Sequence, residues 1–581
     1  MGRLDRGLLY ARTVRHLRLR QWVYWPLRRL QRGLPGAPPA TAGALSEARA
    51  ARLAEVVAGW GPGDPEARLR VAEEVAAGRF RFLNHAETLP AVDWRRRHVS
   101  HLWSYNLHYF DYAVDLAWAW RLTGDGRFPR RFAELAEGWI SGTDPGRGDG
   151  WEPYALSVRV VNWSYALLLF GGALPAAAGE RVVRSLLRQC ARLERRLEWH
   201  LLANHLQRNF QALAVAGVVL DGAGPARWRR TGVEGLWREI REQVLPDGGH
   251  FERSPMYHAV ALADLLETTA LVRAAGEAVP AGIEDRLRRM ARAYGLLCRA
   301  DGSLHLFNDA ANGIAPARAR ILALARSVLG EEIADPAGAF ALPETGFFGY
   351  ANPATGERLL VDCGEPGPAY QPGHAHCDLL SFELDLAGRP VVVDSGTSGY
   401  EGDPLREYAR STRAHSTVAI AGREQSEVWG TFRVGRRARV LGGGWEETGD
   451  ACRFSGAYRP HHDRGAMHLR TLERREGAWT VTDRVEGAVD APLAGWLHLH
   501  PDFAVEVDGT RAVARAADLT LSIEAFGVDR VRVVRGESGP AQGWYSPEFG
   551  VALPAPVLEL VVDRNRGEPF GYTVRAVNPN A

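Results

Sequence analysis

The chain has 581 residues, 46% of them hydrophobic and 24% charged, and its 71 basic against 69 acidic residues leave a formal net charge of only +2. That is globular composition with length for more than one core, and it lacks the basic excess that nucleic-acid binding uses, so no nucleic-acid partner is expected. Every basic residue is an arginine; without lysine there is no Schiff-base chemistry, no phosphate-loop lysine and no lysine general base, which leaves proton transfer to His, Tyr, Asp, Glu or Cys.

The segment 1–45 comes first. Residues 1–35 interleave arginines with leucines, Trp22, Tyr24 and Trp25. They lack the unbroken apolar core and cleavage site of a signal peptide, so the chain reads as cytoplasmic. Two arrangements suit such a segment: an amphipathic helix on an anionic membrane surface, or a solvated helix packed on the first domain, which is favoured. Residues 33–45, rich in Gly, Pro and Ala, read as a linker. The five cysteines are far apart and never form CxxC, which argues against a disulfide framework or a cysteine zinc cluster. No unbroken run of about 18 apolar residues marks a membrane span.

Between residues 46 and 338 apolar residues recur at helical spacing, as in Asp111–Leu122, Arg131–Ile140, Val158–Phe170, Val182–Leu202, Leu206–Leu220, Tyr257–Ala274 and Ile283–Leu297, with turn signals between them. Such a rhythm predicts antiparallel helical hairpins stacked into a bundle or toroid. From 339 to 581 the texture changes to short β-branched runs, among them Arg358–Asp362, Leu380–Leu386, Pro390–Asp394, Thr417–Ala421, Trp479–Val485, Thr520–Ala525 and Val557–Val562, punctuated by Gly, Pro and Asp. This is the pattern of an antiparallel β-sandwich. The expected architecture is therefore an all-α half followed by an all-β half.

Polar residues concentrate in four places. The densest is Gly373-His374-Ala375-His376-Cys377-Asp378, followed by Asp394 at a predicted strand end and by Arg413 and His415. On extended chain the i, i+2 spacing turns His374 and His376 to one face. Two imidazoles with a carboxylate on neighbouring strand ends suit a divalent metal, zinc by preference, although buried histidines satisfied by backbone carbonyls would look the same. A cupin does not fit, because Glu383 lies too far beyond His376. The helical half supplies Tyr105-Asn106-Leu107-His108-Tyr109, Asn204-His205, and the stretch from Asp247 through Glu252, Arg253, Ser254 and Pro255 to Tyr257, where Ser254 is a helix N-cap and Pro255 sits in the first turn.

Taken in order, Asn204-His205, the DGG-FE-SP-YH stretch and GHAHCDLLSFEL…GRPVVVDSG…RSTRAHSTVAI resemble the heparinase II/III family of polysaccharide lyases, which includes oligoalginate lyases. The resemblance spans roughly residues 100–575. It implies an N-terminal (α/α) toroid followed by a C-terminal antiparallel β-sandwich, and β-elimination at a uronic acid residue of an acidic polysaccharide or oligosaccharide. That reaction must neutralise the uronate carboxylate, remove the C5 proton and protonate the leaving oxygen at C4. By resemblance Asn204 and His205 meet the carboxylate, an oxyanion-hole role. Tyr257 donates to the leaving group and can also serve as base, provided Arg253 or His374 lowers its pKa. His374 is the second proton carrier. His376, Asp394 and His415 match a metal triad, read as structural Zn2+, while Tyr105, Asn106, His108, Tyr109, Glu252, Arg253 and Arg413 match the substrate groove, Arg413 as a carboxylate or sulfate partner.

Three alternatives remain open at this level. A uronyl C5-epimerase would use the same proton abstraction. A non-catalytic glycan-binding or assembly factor in exopolysaccharide biosynthesis would need none of it. A glycoside hydrolase fits less well, because its only obvious carboxylate pair, Asp247 and Glu252, shares one loop.

Overall fold

The computed structural model describes residues 3–32, 42–448 and 451–577; most of the expected linker lies outside them. Two N-terminal helices, α1 (Arg3–Val14) and α2 (Leu19–Arg32), precede the first large domain. They do not rest on that domain alone. Arg12 pairs with Glu427 and Tyr10 packs edge-on against Trp429 in the β half, while Arg28 pairs with Glu152 and Tyr24 packs near Trp199 in the α half.

The α half is a ring of antiparallel hairpins forming an (α/α) toroid. Its helices follow the apolar periodicity, with Asp111–Thr123, Pro153–Phe170, Ala203–Val219, Pro255–Ala274 and Ala281–Leu297 all close to the predicted spans. The expected helix Val182–Leu202 instead stops at Glu194. The eight residues that follow are drawn into a turn that buries Glu198, and the chain then passes through left-handed conformations at Leu202 (φ 64°) and Ala203 (φ 53°) before the next helix. Helix Pro153–Phe170 is long and apolar enough to cross a membrane by composition, yet 83% of that window is buried inside the toroid, where it forms part of the core. Helices Ala203–Val219 and Ala223–Gln243 approach closely because Gly232 lies against the partner backbone, where a Cβ would fall 2.3 Å from the Ala214 nitrogen.

The helices of the α half end at Leu329 and the first strand of the β half begins at Gly338. A five-stranded antiparallel meander (Gly338–Leu342, Phe347–Asn352, Glu357–Asp362, Phe382–Leu386, Arg389–Val392) packs on an eight-stranded sheet. Phe348, Leu359, Phe382 and Leu384 from the first meet Phe454, Leu472, Trp479 and Val481 from the second, the buried interior of a sandwich. A four-stranded sheet containing Val418–Ile420 and Leu493–His498 completes the half. The segment carrying His374 and His376 is not extended: strand Phe382–Leu386 starts only after two turns, with Leu380 at φ 60°.

Candidate active site

The site forms where the rim of the toroid meets loops of the β half. The turn at Leu202 and Ala203 sets Asn204 and His205 in the first turn of helix Ala203–Val219. The Asn204 backbone N–H there already meets an anion, the Glu252 carboxylate, at 3.3 Å, as a helix start favours. Ser254 caps helix Pro255–Ala274 by accepting from the Tyr257 amide, as its sequence pattern predicts, and its hydroxyl also donates to the Asp309 carbonyl at 2.7 Å. One residue thus orients Tyr257 and fixes the loop that carries Asp309.

Four residues converge from both halves. The Asn204 amide nitrogen lies 3.4 Å from His374 Nε2, the His374 ring stacks on Tyr257 with centroids 4.0 Å apart, and the Tyr257 hydroxyl lies 2.9 Å from that of Tyr400. His205 faces the same cleft, its ring 4.7 Å from Tyr154. Each is held from behind. The Asn204 Nδ2 group donates to both oxygens of buried Glu252, at 3.0 and 2.9 Å. His205 Nδ1 meets Glu198 at 3.2 Å, and the other Glu198 oxygen accepts from Asn209.

Asp309 is the hub of the arrangement. Fully buried, it takes His374 Nδ1 on one oxygen at 3.0 Å and His376 Nε2 on the other at 2.8 Å, with the Arg406 guanidinium bridging both. The two histidines therefore converge on one carboxylate, although the chain that bears them is not a strand.

The electrostatics separate the roles. Burial pulls the His205 pKa down, but the Glu198 charge and hydrogen bond more than offset it, leaving it above its ordinary value. Burial raises the Tyr257 pKa well above that of free tyrosine, with Tyr400 and the Asp309 charge adding to it. This corrects the expected lowering by Arg253 or His374: Tyr257 is held protonated. Burial also raises Asp309, but Arg406 and the two imidazoles overcome that and hold it well below the usual carboxylate range.

An aromatic row leads away from the cleft. His101, Tyr105 and Tyr109 recur one helical turn apart and stack in sequence, with centroids 4.3 and 6.3 Å apart, and Tyr109 meets Tyr154 at 6.0 Å. Other expected groove residues are placed elsewhere. Asn106 turns back to donate to the Leu102 carbonyl of its own helix. His108 is only 3% exposed, accepts from the Trp139 indole and is driven down to about 3, chiefly by burial, so it is a neutral core residue. Glu252 is buried behind Asn204. Arg253, with its backbone at φ 57°, reaches the Thr345 carbonyl at 2.8 Å and so clamps the domain junction. Arg413 has its carbonyl held by His498 and Gln542, and the arginine that does reach the site is Arg406.

Behind Asp309 lies a buried set of His376, His415 and Asp378 whose donor atoms all fall within 4.8 Å of one another. His376 Nδ1 and His415 Nε2 have no hydrogen-bond partner among the described residues. Asp394, expected as the third ligand, instead accepts from His415 Nδ1 at 2.6 Å and so orients that ring, leaving Asp378 as the nearer carboxylate. Burial and the neighbouring Asp394 raise Asp378 to about 6, with His415 acting against them. Two unsatisfied imidazole nitrogens beside crowded buried carboxylates are a donor set that a divalent cation would relieve.

Sequence reasoning missed Glu198, Asp309, Asp378, Tyr400 and Arg406. Asp378 lay within the Gly373–Asp378 cluster that stands out in the sequence, and Asp309 follows Asn308, which adopts φ 57° and donates to the Arg253 carbonyl.

The sequence matches the model "Heparinase II/III N-terminus" over residues 71–327 and "Heparinase II/III-like, C-terminal" over residues 334–570. It is 25% identical over 370 residues to a heparin-sulfate lyase of Pedobacter heparinus, covering 54% of this chain and 55% of that one. It is 26% identical over 338 residues to FtsZ-localized protein C of Caulobacter vibrioides, covering 58% and 54%. The chain thus spans about half the length of the curated relatives it matches. Among solved structures, heparinase III superposes with a TM-score of 0.72 at 17% identity, covering 88% of this chain and 85% of that one. A heparan sulfate lyase from Pedobacter heparinus superposes with a TM-score of 0.62 at 22% identity, covering 89% and 85%. The toroid-then-sandwich fold is shared with these structures, and with both halves matched in order by the two models of one family, the chain belongs to the heparinase II/III family.

Proposed function

We propose that the protein is a polysaccharide lyase that cleaves uronic-acid-containing glycans by β-elimination. The observation that carries this reading is the convergence of Asn204, His205, Tyr257 and His374 from two domains on one cleft. The names of relatives, heparin-sulfate lyases among them, support an acidic glycan as substrate.

The residues divide the work as follows. Cationic His205 and the Asn204 amide meet the uronate carboxylate and stabilise the charge that builds on it once the C5 proton leaves; one such donor is worth about 3–4 kcal/mol. Asp309 accepts from His374 Nδ1–H and so leaves the lone pair on Nε2, the nitrogen that faces Asn204 and the cleft; His374 is the base. Tyr257, held protonated, gives its proton to the C4 oxygen as the glycosidic bond breaks. The row from Tyr154 through Tyr109 and Tyr105 to His101 offers ring faces for further sugar units.

His376, His415 and Asp378 would hold a divalent ion, Zn2+ by the chemistry of the set, with Asp394 orienting His415. Its charge would offset the buried carboxylates and tie the 373–378 loop to the segment ending at His415. The test of the reading is incubation with a panel of uronate polymers and oligomers, followed by ultraviolet absorbance and mass of the products. An unsaturated uronyl end with no added water is expected. Absence of that product across the panel, or deuterium at C5 without chain cleavage, would contradict it.

A further inference from the structure

Helix α2 has two faces of opposite character. At 3.6 residues per turn, Gln21, Tyr24, Trp25 and Arg28 lie on one side. This side is seated on the protein: Gln21 donates to the Tyr370 carbonyl at 3.2 Å, Tyr24 and Trp25 pack near Trp199 and His200 at 6.2 and 5.9 Å, and Arg28 pairs with Glu152. Leu19, Trp22, Val23 and Leu30 fall together on the opposite side and are 79%, 50%, 54% and 74% exposed. Arg20 and Arg29 flank this strip on either edge, both exposed; Arg20 lies over the Trp199 ring at 5.0 Å, and neither pairs with a carboxylate among the described residues. The helix contains no acidic residue, and Asp5 is the only one in residues 1–32.

We propose that this outer face of α2 docks the protein on an anionic lipid bilayer. The apolar strip is the kind that sinks into the acyl boundary, tryptophan is suited to the headgroup level, and the flanking arginines stay at the depth of lipid phosphates. A second copy of this chain is a poorer occupant, since two such faces would bring two arginine fringes together with no acidic complement. The inner face of α2 contacts Tyr370, just before His374, and Trp199 and His200, just before Asn204. A bilayer on the outer face therefore lies close to both chain segments that lead into the cleft.

The test is co-sedimentation of the full chain with vesicles of phosphatidylcholine alone and of phosphatidylcholine with phosphatidylserine. Binding to the anionic vesicles, weakened by salt and absent with the neutral ones, is expected. Trp22→Glu with Leu30→Glu should abolish it while product formation from a soluble uronate oligosaccharide stays unchanged, which separates this inference from the lyase reading. Arg29→Gln, at an exposed position, should weaken binding about fivefold. No binding to anionic vesicles, binding indifferent to these substitutions, or a concentration-dependent dimer that the Trp22→Glu, Leu30→Glu variant loses would overturn the proposal.

Discussion

Replacing Glu198 with glutamine isolates the electrostatic part of the site. Glu198 meets His205 Nδ1 at 3.2 Å through one oxygen, while its other oxygen accepts from the buried Asn209 amide, a bond that glutamine can keep. Coulomb's law at an effective dielectric of about 20 makes a unit-charge pair at that distance worth about 5 kcal/mol. The His205 side chain is 33% exposed, so solvent screens much of that value. The sign follows from the structure: the partner holds the His205 pKa above its ordinary value, so the imidazolium, and the carboxylate neutralisation it provides, is present at low pH and lost as pH rises through that raised value. In Glu198→Gln burial, the largest influence, still lowers the pKa, and only the weaker Glu252 charge opposes it. The alkaline limb of the rate profile should move to lower pH, and the rate at neutral pH should fall. The assay is initial rate of unsaturated product against pH, with circular dichroism to confirm folding. A folded variant whose alkaline limb stays where it is in the parent would refute the assignment of cationic His205 to the carboxylate.

Three further outcomes follow from the same geometry. Asp309→Asn leaves Arg406 buried without its charge partner and both histidines without their anchor; breaking a buried pair in this way costs about 3–5 kcal/mol, visible as a lower thermal midpoint together with lost activity. Chelation should lower the thermal midpoint and added Zn2+ restore it, whereas His415→Ala should purify without the metal that elemental analysis finds in the parent. Tyr105→Ala, which removes one ring of the aromatic row, should raise KM by up to about tenfold with little change in kcat, measured with an oligosaccharide long enough to span the row.

Much of the fold was legible because both halves carry their period openly. Helices such as Asp111–Thr123 and Ala281–Leu297 bury one apolar stripe, and strands such as Ala478–Glu486 alternate. The overshoot at Val182–Leu202 shows the limit, since the apolar rhythm continues through Leu197 and Leu202 while the tertiary demand that Glu198 reach His205 ends the helix at Glu194. In the site, Asn204, His205, Tyr257 and His374 stood out through the family motif. Asp309 and Arg406 did not, because their importance comes from partners far away in sequence, 65 residues from Asp309 to His374 and 97 from Asp309 to Arg406. His108 was misread for the converse reason. A polar island on a helix does not reveal which of its members turns inward, and the Trp139 indole that satisfies His108 lies 31 residues on. Asp394 and Asp378 are both acidic neighbours of the histidine pair, and only the orientation of the His415 ring distinguishes the residue that aims it from the one beside its free nitrogen.

The most direct test of the central claim is the rate of unsaturated uronyl product by the parent protein and by Tyr257→Phe. The ring and its packing on His374 survive the change, and only the hydroxyl proposed to protonate the C4 oxygen is removed. The account predicts a folded variant whose kcat falls by at least about 100-fold, with KM little changed. A folded Tyr257→Phe protein that forms product at the parent rate would contradict it.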